Sequence, residues 1–384
     1  LDSLLAPQRP APAQPAASRL PRVDHWSIWN EPNHPGWLTP QWLPDPRGGA
    51  RPQLAAGAAL YRQLADAAWL GLKASGHDGD VVLLGETAPR GWDKRGVAQA
   101  MRTLEFIREL YCLRANSKPY QGNDAAVRGC PSTPQGRSTF ATDHPGLFRV
   151  SGFAHHPYRF QGPPRESDPM PDNAPIADTD RLIRTLDAGF RRFRQSKRLP
   201  VWITEYGYQT SPPDPFVKVP ERRQAEWINE AEFIAYRNPR VASFAQFLLV
   251  DDAPRAQFSR RDPKHWVTFQ TGLFTLRGRA KPGYTAYQRA LHVTPATGRA
   301  GRSVTVFGQY RPAATGARVA AALQFFPKGG SGWQDAGVLT SKNPRGYFRR
   351  RLRLPGPGSF RFVYRDPVTG AAKPSLSFRV TVEK

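Results

Sequence analysis

Cysteine is almost missing from this chain of 384 residues, with Cys112 and Cys130 the only two. Two thiols cannot complete a four-ligand zinc site, and no CxxC pair accompanies them, so no metal is expected. They lie in a polar stretch rich in Gly, Pro, Asn and Arg, which leaves two free thiols or one disulfide stapling a long loop. The disulfide, Cys112 to Cys130, is the preferred reading and points to an exported, extracellular or cell-surface protein, because such bonds persist in oxidising compartments. No run of 18 or more apolar residues is present, which excludes a helical membrane span. Neither G-x-G-x-x-G nor G-x-x-x-x-G-K-[ST] follows an apolar run, so the usual phosphate-cradling loops are lacking and no cofactor is expected. Proline (39) and glycine (33) together fall short of the roughly 25–30% that marks a disordered chain.

Acidic residues are scarce as well: 31 Asp+Glu stand against 55 Lys+Arg, a formal net charge of +24. Most of the basic side chains are arginine. A planar guanidinium suits phosphate and carboxylate, so a nucleic acid or an anionic polymer has to be weighed, against the plainer reading of a GC-rich codon bias. Residues 297–384 hold 16 basic side chains and only three acidic ones, Asp335, Asp366 and Glu383. That concentration favours an anionic cell-surface polymer over nucleic acid, for which no RNP, KH, zinc or helix-turn-helix signature is evident.

Three segments follow from the texture of the chain. Residues 1–21 are Pro/Ala-rich and linker-like, begin with Leu1, and show no charged and apolar leader pattern. Residues 22–295 alternate apolar runs (His25–Asn30, Val81–Gly85, Val150–His155, Val201–Thr204, Val241–Val250) with helical patterns. The helical patterns are Leu54–Ser75, Gly96–Arg114, Asp178–Ser196, Pro220–Tyr236 and Gly283–Leu291, the fourth with Trp227, Ile228, Phe233 and Ile234 facing inward. Such alternation predicts an α/β fold with a parallel sheet, either doubly wound or most of a (β/α)8 barrel, and near-continuous apolar strands predict burial on both faces. Residues 296–384 change to short strands between Gly/Pro turns, the pattern of a small antiparallel, Ig-like sandwich.

The chemistry concentrates at strand ends. Trp26-Ser-Ile-Trp29-Asn30-Glu31-Pro32-Asn33 is an apolar run stopped by a proline, which presents Glu31 beside Asn30. Val201-Trp202-Ile203-Thr204-Glu205-Tyr206 delivers a second glutamate into aromatic surroundings. Two glutamates on two strand ends, among tryptophans able to stack on sugars, are what a retaining glycosidase needs. Singly, each is more often a salt-bridge partner or a helix cap. Barrel active sites lie at this end of the strands.

These segments, with Gly152-Phe-Ala-His155-His156-Pro-Tyr158 and Phe244-Ala-Gln246-Phe-Leu-Leu, resemble clan A glycoside hydrolases of the family 5 and family 39 type. The resemblance spans about residues 22 to 292. It implies Glu31 as acid/base at the end of the fourth barrel strand, Glu205 as nucleophile at the end of the seventh, and Asn30 as partner of the sugar 2-hydroxyl. It implies further that at least one of His155, His156 and Tyr158 orients the nucleophile or touches substrate, the alternative being satisfied loop histidines. Trp29, His34, Trp37 and Tyr206 are candidate subsite residues, and Glu86 lines the site or makes a structural salt bridge. Gln246 stands where many relatives carry a tryptophan beneath the sugar. Asp251 and Asp252 read as a solvated loop, with a capping or cation-binding pair as the alternative. In this scheme Glu31 enters as the raised, protonated acid and Glu205 is ionised. Strands four to eight of a barrel are then visible, three strands are expected upstream, and the chain reads as truncated at its N-terminus. An oligosaccharide or polysaccharide is the implied substrate; a catalytically silent carbohydrate-binding relative is the alternative.

Overall fold

The computed structural model describes residues 21–48, 54–311, 319–341, 343–366 and 369–383. The linker-like segment expected over 1–21 therefore lies outside the described residues except for Pro21. The chain forms two compact units. The first comprises Leu1–Arg159, Glu166–Tyr206 and Asn238–Ala245; the second comprises Phe160–Arg165, Gly207–Arg237 and Gln246–Lys384.

The first unit is built on a parallel sheet of five strands: β1 (His25–Ser27), β2 (Val81–Thr87), β3 (Gly152–His155), β4 (Val201–Ile203) and β5 (Val241–Phe244). Their order in the sheet is their order in the chain, and every pairing is parallel. This sequence has no reversal point, which sets it apart from a doubly wound sheet, where the strand order turns back on itself. The register carries Leu83 onto Gly152, Phe153 onto Val201 and Val201 onto Val241. All of β3 is buried, as the sequence predicts for a central strand, whereas β1 and β5 at the two edges are only partly covered.

Helices α1 (Ala56–Ala74), α2 (Thr103–Leu110), α3 (Gly122–Ala126), α4 (Pro134–Asp143), α5 (Pro145–Phe148) and α6 (Thr179–Arg192) fill the connections. The alanine-rich sequence of α1 favours helix, and Gly76, at φ 83°, ends it. There the N–H of His77 reaches Leu72 O and that of Gly76 reaches Lys73 O, the paired bonds of a glycine C-cap. Helix α6 buries Leu182, Ile183, Leu186 and Phe190, one helical stripe. Each such side chain contributes about 1.5–3 kcal/mol on burial. Gly189 lets α6 approach closely, since a Cβ there would lie 2.7 Å from the Tyr111 ring.

Cys112 and Cys130 are joined, with their Cα atoms 5.6 Å apart, so the free-thiol alternative is set aside. The loop expected between Cys112 and Cys130 instead holds α3. The helix expected from Gly96 begins only at Thr103, because Ala98 to Arg102 is spent on loop contacts such as Met101 N–H to Asn33 O.

The second unit contains α7 (Glu221–Arg237), α8 (Pro282–Gln288) and a region of two sheets whose pairings are antiparallel except where the last strand, Phe378–Val382, runs parallel to Thr297–Gly298. One sheet joins β11 (Tyr347–Arg353), β8 (Ser303–Tyr310) and β6 (Arg289–Thr294). The other runs β10 (Gln334–Ser341), β9 (Val319–Pro327), β12 (Gly358–Arg365), β14 (Phe378–Val382) and β7 (Thr297–Gly298), with β13 (Ala372–Pro374) on β12. Alternate residues of both sheets, among them Val293, Val306, Leu323, Phe348, Phe360 and Phe362, form one buried apolar cluster. The helix expected over Gly283–Leu291 stops at Gln288, where the chain turns into β6. Along α7 the buried face includes Ile228 and Phe233 as expected but also Glu232, whose carboxylate is paired with Arg311. Trp227 and Ile234 are half-buried instead. Asp251 is not in a solvated loop: it is buried against Lys281 Nζ at 2.7 Å.

Candidate active site

Glu31 sits past the end of β1 on a backbone that bends sharply. Trp29 (φ 68°) and Glu31 (φ 37°) both occupy the left-handed region, unusual for residues with a side chain. Surrounding bonds hold that bend. Ile28 N–H donates to Leu83 O and Glu31 N–H to Glu86 O at 2.8 Å, so the chain keeps step with β2 through the turn. The buried amide of Asn33 donates to Ala88 O and Met101 O and accepts from Ala88 N–H. The Tyr61 hydroxyl of α1 lies 2.7 Å from Ile28 O and 2.9 Å from Gly85 O, and accepts from Gly85 N–H. Gln41 Nε2 donates to Pro32 O. A strained loop persists where its neighbours over-determine it.

Glu86 is delivered by a bulge. Gly85 pairs with Ala154 and Thr87 with His155, so Glu86 is the extra residue of β2. Gly85 adopts φ 112°, and a Cβ there would lie 2.2 Å from Ala154 O, so only glycine fits. Glu205 follows β4 by two residues, and His156 and Tyr158 follow β3.

These ends converge on His156. Its ring is fully buried, with Nδ1 3.1 Å from Glu31 Oε1 and 3.4 Å from Glu205 Oε2. Because both oxygens are that close to one nitrogen, they can be at most about 6.5 Å apart, the sum of the two distances. On the other side of the ring, Nε2 is 4.0 Å from Glu86 Oε2. Tyr158 Oη donates to Glu205 Oε2 at 2.9 Å, and the Tyr158 ring stacks on Tyr206.

Burial pushes the Glu205 carboxyl above the usual range; His156 and the Tyr158 hydroxyl pull it down, while the charges of Glu31 and Glu86 add to the rise. The carboxyl that its surroundings raise is thus that of the expected nucleophile. The Tyr158 hydroxyl is held firmly protonated by burial and by Glu205.

The remaining candidates divide. Adjacent His155 turns away from the glutamates: Nδ1 meets Thr87 Oγ1 and O, and Nε2 meets Ala174 O at 2.7 Å. Burial lowers its pKa to about 4, so it is a neutral ring bracing the loop after β3. Asn30 is half-buried, and its amide makes no side-chain hydrogen bond among the described residues. Trp29 and Trp37 are about half exposed, and Trp29 Nε1 donates to Trp37 O. His34 packs edge-on against Trp92, a third exposed tryptophan that the sequence reading passed over. Its signal was available, a lone tryptophan in the loop after β2. Gln246 belongs to the second unit, where Nε2 donates to Phe247 O and Thr271 O. Among the described residues no group of His, Cys, Asp or Glu is placed to hold a metal ion, and no helix is long and apolar enough to cross a membrane.

No family model matches the chain, and no curated protein matches it. Among solved structures, a superoxide reductase from Ignicoccus hospitalis aligns over 25% of this chain and 80% of its own at 14% identity, TM-score 0.22. A family 51 α-L-arabinofuranosidase from Bifidobacterium longum aligns over 91% of this chain and 72% of its own at 14% identity, TM-score 0.40. An endo-β-1,3-glucanase of glycoside hydrolase family 128 from Amycolatopsis mediterranei, in complex with laminarihexaose, aligns over 59% and 78% at 20% identity, TM-score 0.26. Scores this low carry no argument about activity.

Proposed function

We propose that this chain is a retaining O-glycoside hydrolase, with Glu31 as acid/base and Glu205 as nucleophile, on part of a (β/α)8 barrel. The observation that carries the reading is the convergence of two glutamates from separate strand ends on the same nitrogen of His156. Retaining enzymes hold their carboxyls roughly 5–5.5 Å apart and inverting ones roughly 6.5–9.5 Å, to admit a water. An upper bound of about 6.5 Å between the facing oxygens favours the retaining class. The sequential parallel order of the five strands supports the barrel reading.

The steps follow. Ionised Glu205 forms a bond to the anomeric carbon while Glu31 gives its proton to the departing glycosidic oxygen. Glu31, now a carboxylate, takes a proton from water, which attacks the same carbon and frees Glu205. The Tyr158 hydroxyl and His156 favour the anionic form of Glu205, so both support attack. Exposed Trp29, Trp37 and Trp92 offer apolar faces for sugar rings. The substrate is an oligosaccharide or polysaccharide met outside the cell, where the disulfide is stable.

The test is chemical rescue. A panel of aryl glycosides identifies a working substrate, and Glu205→Ala is then assayed with sodium azide. Loss of turnover, restored by azide with a glycosyl azide of inverted configuration as product, supports the assignment. Parental turnover in Glu205→Ala without azide overturns it.

A further inference from the structure

The proposed mechanism uses two of the three carboxylates in the site. Glu86 is the third, and the fold bends to place it: β2 takes up an extra residue and spends a glycine in the left-handed region at Gly85. The Glu86 side chain is 17% exposed, against 18% for Glu31 and 26% for Glu205, so all three are reachable from solvent. No lysine or arginine among the described residues pairs with any of them. The Glu86 carboxylate makes no side-chain hydrogen bond there either. Its nearest charged neighbour is His156 Nε2 at 4.0 Å, too far for a hydrogen bond. That nitrogen is buried and has no hydrogen-bond partner of its own. Three carboxyl groups gathered around a single imidazole make the site rich in negative charge.

A neutral sugar hydroxyl could donate to Glu86 but would leave that charge uncompensated. An ammonium group supplies both donors and charge. We propose that Glu86 is an ammonium-binding group and that the favoured substrate is a glycoside of an amino sugar whose amine is free. This rests on the glycosidase reading above. The net charge of +24 does not oppose it, because charges beyond a Debye length of about 8 Å are screened at physiological salt, while Glu86 contacts the ligand directly. The arrangement also couples recognition to chemistry. The Glu86 charge helps hold the Glu205 carboxyl up, and an ammonium on Glu86 offsets it, favouring the nucleophilic anion when the cationic substrate is bound.

The experiment compares matched 4-nitrophenyl glycosides in the gluco and galacto series, α and β, bearing at C2 a free amine, an acetamide or a hydroxyl. Binding of glucosamine, N-acetylglucosamine and glucose oligosaccharides is measured by calorimetry alongside. A charge-assisted hydrogen bond predicts a preference of about 10- to 100-fold for the free amine over both neutral forms. Glu86→Gln should collapse that ratio at least about tenfold, and the ratio is unaffected by general loss of folded protein. A preference for the hydroxyl or acetamide form, or a ratio that survives in Glu86→Gln, overturns the proposal and leaves the glycosidase reading standing. Cleavage of none of the glycosides, with no azide-rescued product, counts against that earlier reading; calorimetry then still decides the ammonium site, since equal or absent binding of the amine and neutral oligosaccharides overturns it.

Discussion

Replacing Tyr158 by phenylalanine removes one oxygen and keeps the ring. The hydroxyl donates to Glu205 Oε2 at 2.9 Å, while the ring lies parallel to Tyr206 with centroids 6.3 Å apart, so packing survives and one hydrogen bond to a carboxylate is lost. Such a bond contributes about 1.5–3 kcal/mol, and 1.36 kcal/mol corresponds to a factor of ten in rate. The expected fall in kcat/KM is therefore roughly 10- to 150-fold. Its pH dependence gives a sign. Burial already holds the Glu205 carboxyl above the ordinary range, and Tyr158 is one of the groups drawing it back. Without the hydroxyl the carboxyl rises further, so the acid limb of the kcat/KM profile moves to higher pH. The assay is that profile for parent and Tyr158→Phe on one aryl glycoside, with thermal melts confirming an intact fold. An acid limb that stays in place or moves to lower pH, or a rate loss under about threefold, refutes the reasoning.

Other expectations concern the scaffold. Gly85→Ala forces a Cβ to within 2.2 Å of Ala154 O on a backbone at φ 112°, and should cost roughly 1–3 kcal/mol or more in urea unfolding while displacing Glu86. Cys112→Ser opens a crosslink spanning 18 residues and should cost about 3 kcal/mol; dithiothreitol should bring the parent down to the variant's melting temperature and leave the variant unmoved. Burial lowers the pKa of both His155 and His292 to about 4. The unfolded chain binds these protons first, so the contribution is complete above about pH 6.5 and is lost as pH falls towards 4, roughly 3 kcal/mol for each ring. His292 packs between Phe233 and Phe378 with its Nδ1 unbonded, so His292→Phe should keep stability at pH 7 and flatten the acid slope. An unchanged slope contradicts the assignment.

Much of the first unit is readable from residue order alone. Apolar runs alternating with helical stripes locate β1 to β5, and Pro32, Pro89, Pro157 and Gly207 follow soon after the first four, whereas nothing in the run Val241–Val250 marks the end of β5 at Phe244. Glu31 and Glu205 stand out because each interrupts an apolar run. What the sequence hides is parity and long-range contact. His155 and His156 are neighbours, and alternation along an extended chain sends one to Thr87 and Ala174 and the other to the glutamates; which goes where depends on the sheet's facing. The bulge at Glu86 is equally hidden, since a glycine inside an apolar strand does not reveal which residue it displaces. Tyr61, Gln41 and Asn33, which fix the strained turn at Glu31, reach it from a helix and two loops and carry no local signature. Helix ends slipped for a related reason. Gly283–Leu291 reads as one amphipathic run, yet cross-strand pairing with β8 claims its last three residues for a strand.

The central claim is that Glu205 forms a covalent bond to the sugar. The most direct measurement is peptide mapping by mass spectrometry after incubation with a 5-fluoro glycosyl fluoride of the preferred sugar, which leaves C2 unaltered and slows breakdown of the glycosyl-enzyme. The account predicts a single added sugar on the peptide containing Glu205, absent from Glu205→Ala. A label on Glu31 or Glu86, or turnover with no labelled peptide and an inverted product, would contradict it.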